Sequence, residues 1–301
     1  MLFVGDINNR GLSDALGKSL GADVIYPDKH IFDDGEQRIR IEQSVLDADV
    51  YLLKSTSDPV DSNTLELLFT VDALKRSGAK RITAIIPYLG YARADHIFRE
   101  GEAVALEVII RALESTGLDE VIIIDPHTVK ISEMFSVDVR LESALSVFAD
   151  KINELELSPE KLSIVSPDMG GIRRVKQLAE LLPGSVHAAI NKDRDLATGK
   201  LSGSRLGEGE IREICVVTDD IISTGGTMVN AVDTCLSEGA KKVYMFATQP
   251  VFANDAHKKL ADCKAEKIFI TDAIPVPEEK MFPNLEILSL APHIAKILGR
   301  S

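Results

Sequence analysis

The chain has 301 residues, about two domains' worth at roughly 150 residues each, and with 45% hydrophobic and 27% charged residues it can bury a large core. Its 34 basic and 47 acidic residues give a formal charge of −13, which disfavours binding to nucleic acid or to an anionic membrane, since both reward a basic face. An anionic ligand must therefore meet positive or N–H groups concentrated in one place. The apolar runs, such as Val121-Ile-Ile-Ile124, are strand-length and fall short of the roughly 20 residues of a membrane span. The start, Met1-Leu-Phe-Val-Gly-Asp6, carries no basic leader, so a cytoplasmic protein is expected. Cys215, Cys235 and Cys263 form no C-x-x-C pair and read as reduced residues.

In chain order, strands are predicted at residues 2–4, 23–26, 50–53, 82–86 and 121–124, then at 162–165, 187–190, 214–217, 243–247 and 268–270. Several are continuously apolar, as parallel strands covered on both faces must be. Helices fall between them: a Leu67, Val71, Leu74 stripe, then residues 103–115 ending before Gly117, 143–152, and 226–238 ending before Gly239. Alternating β and α predicts a doubly wound α/β architecture. The polar stretch 153–161 separates two series, giving expected domains 1–152 and 153–301, with the last helix free to pack back on the first domain. A weak internal repeat points the same way. Val71-Asp-Ala-Leu-Lys-Arg-Ser-Gly-Ala-Lys-Arg-Ile82 aligns without gaps with Val232-Asp-Thr-Cys-Leu-Ser-Glu-Gly-Ala-Lys-Lys-Val243, although many α/β units share such a helix-to-strand turn.

The sharpest motif is Val216-Val-Thr-Asp-Asp-Ile-Ile-Ser-Thr-Gly-Gly-Thr-Met228. An apolar strand runs into two acids, then a loop of hydroxyl and glycine residues, then a helix. Gly225 and Gly226 let backbone N–H groups approach a phosphate, and the helix start adds a favourable dipole. Ser223, Thr224 and Thr227 supply hydroxyls, while Asp219 and Asp220 can accept from sugar hydroxyls. The plain alternative is an ordinary N-cap. A second feature is the polar stretch 191–210, expected as a structureless loop that closes as a lid and delivers Lys192 and Arg194.

The first motif resembles the phosphoribosyl diphosphate (PRPP) binding signature of type I phosphoribosyltransferases and ribose-phosphate pyrophosphokinases. The rest of the chain is similar to the pyrophosphokinase family, in order and almost from end to end. Phe32-Asp-Asp-Gly-Glu36 resembles its nucleotide loop, Ile86-Pro-Tyr-Leu-Gly-Tyr-Ala-Arg93 its ATP loop, and Asp125-Pro-His127 its metal-site histidine segment. Ser166-Pro-Asp-Met-Gly-Gly171 resembles its diphosphate loop, and Asn191-Lys-Asp-Arg194 its catalytic K-x-R.

The resemblance implies two similar doubly wound parallel-sheet domains of phosphoribosyltransferase type, and transfer of the β,γ-diphosphoryl group of ATP to the C1 hydroxyl of ribose 5-phosphate. It implies ATP at Phe32, Asp34, Glu36, Arg93, Asp95 and His127, and ribose 5-phosphate at Asp168, Asp219, Asp220 and the loop Ser223, Thr224, Gly225, Gly226, Thr227. Lys192 and Arg194 would be catalytic, Mg²⁺ would sit near His127 and Asp168, and the chain would form a homo-oligomer. One departure stands out: where the family has Y-A-R-Q-D and a basic residue, this chain has Tyr91-Ala-Arg-Ala-Asp-His96. Ala94 cannot make the hydrogen bonds of an amide. Two other readings remain open, a PRPP-consuming phosphoribosyltransferase and a catalytically silent regulatory homologue.

Overall fold

The computed structural model describes residues 2–194 and 201–299. The chain divides into two compact units, one running to Ser143 and taking in Ala273–Pro275 and the residues from Ser289 onward, the other comprising Ala144–Asp272 and Val276–Leu288. The division falls ahead of the predicted boundary, so that the helix Leu145–Glu154 and the polar stretch after it belong wholly to the second unit.

The first unit contains β1 (Leu2–Val4), α1 (Arg10–Leu20), β2 (Val24–Ile25), β3 (Asp28–Ile31), β4 (Gln37–Arg40), β5 (Asp49–Leu53), α2 (Val60–Arg76), β6 (Arg81–Ile86), α3 (Ala105–Ser115), β7 (Glu120–Ile124), α4 (Ile131–Met134) and β8 (Asp138–Glu142). Asn9 caps α1 by accepting the Leu12 N–H, and the Leu67, Val71, Leu74 stripe of α2 is fully buried. Among the described residues, six parallel strands form a sheet in the order β2-β1-β5-β6-β7-β8, and β3 and β4 form a separate antiparallel hairpin. Leu52, Ile82, Ile86, Val121 and Ile123 meet α2 and α3 in one core cluster.

The second unit contains α5 (Leu145–Glu154), β9 (Leu162–Ser166), α6 (Ile172–Glu180), β10 (Val186–Arg194), β11 (Leu201–Gly209), β12 (Ile214–Ile222), α7 (Gly226–Ser237), β13 (Lys242–Pro250), α8 (Ala256–Ala261), β14 (Lys267–Thr271) and β15 (Leu285–Leu288). The final helix, α9 (Ala291–Ile297), belongs to the first unit and packs on α1. Among the described residues the second sheet runs β11-β10-β9-β12-β13-β14-β15, parallel except for the β10–β11 pair. Side chains alternate across it: Val165, Val217 and Met245 face the α7–α8 cluster, while Ile164, Val216 and Phe246 face α5 and α6. Phe246 stacks on Phe269 with centroids 4.6 Å apart.

Counting parallel strands alone, both sheets have the order second, first, third, fourth, fifth, sixth. The two repeated segments also occupy one place, the end of α2 into β6 and the end of α7 into β13, each joining the third strand's helix to the fourth strand. In such a sheet the strand order reverses between the first and third strands, and ligands bind there, beyond the strands' carboxyl ends.

Two expectations need correction. The stretch expected as a structureless lid is instead largely an antiparallel hairpin, with Asn191 opposite Arg205 and Lys192 opposite Ser204. Backbone ladder bonds hold a polar strand at a sheet edge without the apolar run that marks a central one. And β12 does not stop at Val217 but continues through Asp219 and Asp220, because β13 accompanies it as far as the Ile222–Pro250 pair.

Candidate active site

In the second unit the reversal lies between β9 and β12. Their pairing ends at Val165 and Val217, so each chain beyond that point leaves its neighbour. After β9, Asp168 opens a single 3-10 turn, its Oδ1 accepting the Gly170 N–H at 3.0 Å, and the Ser166 hydroxyl donates to the Asp168 carbonyl at 2.6 Å. Beyond Val217 come Asp219 and Asp220, with Asp219 Oδ1 accepting the Asp220 N–H at 2.9 Å. Burial pushes the Asp219 carboxyl well above the usual range, and the neighbouring charges of Asp220 and then Asp168 push it the same way. Asp168 at β9's end is thus near enough to Asp219 on β12 for its charge to be felt there, beside that of Asp220.

The chain then turns through Ser223 and Thr224 into α7. Gly225 stands at the helix start with φ +77°, a left-handed conformation that suits glycine, and no side chain caps the helix. Thr224 is exposed, and Ser223, Gly226 and Thr227 are half-buried. N–H groups at a helix start that no side chain caps, hydroxyls beside them and acids a few residues earlier are a donor and acceptor set suited to a phosphorylated polyol.

The first unit carries the residues assigned to the nucleotide. Residues 32–36 are the tip of the β3–β4 hairpin, closed by Phe32 N–H to the Glu36 carbonyl at 2.8 Å and Gly35 N–H to the Phe32 carbonyl at 2.9 Å. Phe32, Asp34 and Glu36 are all exposed, and His30 meets the Phe32 ring edge-on at 4.6 Å. The chain after β6 passes close to the start of α2 at Gly90, where a Cβ would come within 2.8 Å of the Thr56 carbonyl. Arg93 beyond it is exposed. Asp95 is held by His96, with Nδ1 at 2.6 Å, and by the Thr128 hydroxyl next to His127. Burial raises the Asp95 carboxyl, but those contacts outweigh it and the net direction is down. The stretch 86–96, expected as the ATP loop, and the His127 segment thus meet through Asp95 and Thr128, and His127 itself is exposed.

Asp168, Asp219, Asp220 and the loop 223–227 gather in one unit, and Phe32, Asp34, Glu36, Arg93, Asp95 and His127 stand in the other. Lys192 and Arg194 have their backbone in β10, and their side chains lie outside the described residues. Sequence reasoning missed what fills the first unit's own reversal point, between β1 and β5. There Lys54, 2% exposed, places Nζ 2.9 Å from Asp6 Oδ1 and 2.6 Å from Glu66 Oε1. The available signal was a lysine directly after an apolar strand.

Two doubly wound α/β units of phosphoribosyltransferase type, one opening its reversal point on acids and a glycine-rich helix start, define the class. Residues 1–117 match the N-terminal domain of ribose phosphate pyrophosphokinase, and residues 206–290 match the phosphoribosyl synthetase-associated domain. The chain is 34% identical over 293 residues to ribose-phosphate pyrophosphokinase 1 of Listeria innocua, covering 97% of this chain and 91% of that one. It is 35% identical over 299 residues to the ribose-phosphate pyrophosphokinase of Fusobacterium nucleatum, covering 99% and 94%. The crystal structure of phosphoribosylpyrophosphate synthetase from Mycobacterium smegmatis superposes with a TM-score of 0.90 at 33% identity, covering 99% of this chain and 97% of that one. The chain belongs to the ribose-phosphate pyrophosphokinase family.

Proposed function

We propose that this enzyme transfers the diphosphoryl group of ATP to the C1 hydroxyl of ribose 5-phosphate, giving PRPP and AMP, with the acids and loop of the second unit as the sugar-phosphate site. The observation that carries the assignment is the convergence of Asp168, Asp219 and Asp220 beside an uncapped glycine-rich helix start. Asp219 and Asp220 accept from the ribose hydroxyls, and the N–H groups and hydroxyls of Ser223, Thr224, Gly225, Gly226 and Thr227 take the 5-phosphate. The exposed tip Phe32, Asp34, Glu36 takes the nucleoside, with Arg93, Asp95 and His127 toward the phosphates. The C1 oxygen attacks the β-phosphorus in line; the bond from that phosphorus to the bridging oxygen breaks, and the oxygen leaves on AMP. Lys192 and Arg194 neutralise charge growing on the transferring group.

Among the described residues no three His, Cys, Asp or Glu side chains are arranged to hold a metal ion. Mg²⁺ needs no such cage, since it keeps several waters and binds through substrate phosphates plus one or two carboxylates. Asp168 fits that donor set, because it is a carboxylate at the end of β9 whose charge adds to that of Asp220 in disfavouring the ionised Asp219, and a divalent cation would offset that repulsion. Held by Asp168, Mg²⁺ would supply charge neutralisation on the diphosphate, and His127 of the first unit is the other residue that likeness to the family assigns to the metal. The cytoplasm, where ATP is made, is the compartment this reading implies, and Cys215, Cys235 and Cys263 are free thiols. No described helix is long and apolar enough to cross a membrane. Assembly into a homo-oligomer belongs to the same reading, by likeness to the family.

The test is a coupled assay of AMP release from ATP with ribose 5-phosphate and Mg²⁺. AMP formation that requires the sugar phosphate is the expected result. No AMP with any divalent metal, with PRPP still bound, would instead indicate a PRPP-consuming transferase or a silent homologue.

A further inference from the structure

The first unit's reversal point, where a doubly wound sheet ordinarily takes a ligand, is filled by the chain's own charges. Glu66 on α2 is 2% exposed and divides its carboxylate between two lysines: Oε1 lies 2.6 Å from Lys54 Nζ and Oε2 2.6 Å from Lys29 Nζ. Lys54 is further held by Asp6 at 2.9 Å and by Asn63 Oδ1 at 3.2 Å. Asn8 Nδ2 donates to Glu66 Oε2 at 3.1 Å and to Asn63 Oδ1 at 2.8 Å. The Ser55 N–H donates to Asp6 Oδ2 at 3.0 Å. Glu66 is therefore fixed in place without help from Lys29. Lys29 comes from elsewhere: it lies on β3, three residues before Phe32, opposite Ile39 of β4. On the return strand Gln37 Nε2 donates to the Ser62 carbonyl, also on α2, at 3.1 Å. Both strands of the hairpin are thus tied to one helix near their middles and ends, while the tip at 32–36 is closed only by its own turn and stays exposed.

We propose that the Lys29–Glu66 ion pair, backed by Lys54, sets the position of the β3–β4 hairpin and thereby the affinity for ATP, making Lys29 and Glu66 positioning residues for the nucleotide. The proposal rests on the reading of residues 32–36 as a nucleotide element. A two-stranded hairpin alone is marginally stable in water, so where its tip stands depends on what holds its strands. The Lys29 head is only 15% exposed and its partner carboxylate is buried, so this is a charge-assisted contact shielded from most of the solvent that weakens surface pairs. Lys29 belongs to the first unit, and the sugar-phosphate elements belong to the second. Loss of the pair therefore acts on nucleotide binding and leaves the chemical step and the sugar phosphate alone.

The experiment compares wild type, Lys29→Met, Lys29→Arg and Phe32→Ala in the full chain, with KM for ATP, KM for ribose 5-phosphate, kcat and Tm measured for each. In Lys29→Met, Glu66 keeps Lys54 and Asn8 as partners, so the fold survives. The expected result is a KM for ATP raised about tenfold in Lys29→Met, the equivalent of ~1.4 kcal/mol. KM for ribose 5-phosphate and kcat stay near wild type, and Lys29→Arg restores most of the ATP affinity. If Phe32→Ala raises KM for ATP but Lys29→Met does not, the positioning role is wrong and the nucleotide reading stands. If Phe32→Ala also leaves it unchanged, the nucleotide reading fails and the proposal falls with it. A fall in kcat and in Tm with no selective change for ATP makes the pair purely structural and overturns the proposal.

Discussion

Burial and the neighbouring charges of Asp220 and then Asp168 push the Asp219 carboxyl well above the usual range, so its ionised form is disfavoured in the folded protein until a ligand arrives. An acid whose pKa is raised on folding favours the folded state when protonated; that advantage is lost as pH climbs from the ordinary carboxylate range through the raised value. Asp219→Asn keeps an oxygen to accept the Asp220 N–H and removes the charge. It should raise Tm at pH 7–8 by about 2–4 °C and flatten the dependence of Tm on pH. The same substitution should weaken ribose 5-phosphate binding about tenfold or more by calorimetry. A lower Tm at pH 8 would show that the charge is not strained. Ala94 makes the opposite point, since here the chain lacks a group. Its backbone closes a turn to the Tyr91 carbonyl at 2.8 Å, and its methyl offers a nucleoside nothing directional. Ala94→Gln should lower KM for ATP by roughly two- to tenfold, the value of one neutral hydrogen bond, and sharpen ATP over GTP. Strong ATP selectivity in the wild type would contradict this and move base reading to another residue, His96 first.

At the scale of elements, the β10–β11 hairpin replaces the expected lid. A hairpin anchored along β9 holds its outer residues by ladder bonds from Ala188 to Arg194, a stiffer mount than a loop. If Lys192 acts on the transition state, Lys192→Ala should lower kcat by orders of magnitude while both KM values change little, as steady-state kinetics would show. An unchanged kcat would remove Lys192 from the catalytic set. The helices and central strands were legible because Leu67, Val71 and Leu74 repeat at helical spacing and Val121–Ile124 is apolar without a break. β3, β4 and β11 were not, because edge and hairpin strands stabilised by backbone pairing keep polar residues on both faces, as Asp28, His30, Arg38 and Arg40 on one face of the β3–β4 hairpin and Lys29 and Gln37 on the other do. The continuation of β12 past its acids was hidden for a related reason: its partner β13 sets its length, and no local signal in Asp219-Asp220 does.

For the whole molecule, the faint repeat between residues 71–82 and 232–243 turns out to mark one position in two sheets of the same strand order. The two reversal points diverge. The second is open and acid-lined, with a helix start for phosphate, and the first is closed by Lys54, Asp6 and Glu66. The open site was readable because phosphate binding needs glycine and hydroxyl residues in one short run. The closed one draws on residues 6, 54 and 66, whose meeting only the fold brings about. Diphosphoryl transfer can be followed by ³¹P NMR of the reaction with ATP, ribose 5-phosphate and Mg²⁺. It predicts AMP and PRPP appearing in equal amounts, with two coupled phosphorus signals from the new C1 diphosphate and no ADP. Formation of ADP with a singly phosphorylated C1, or consumption of neither substrate, would contradict it.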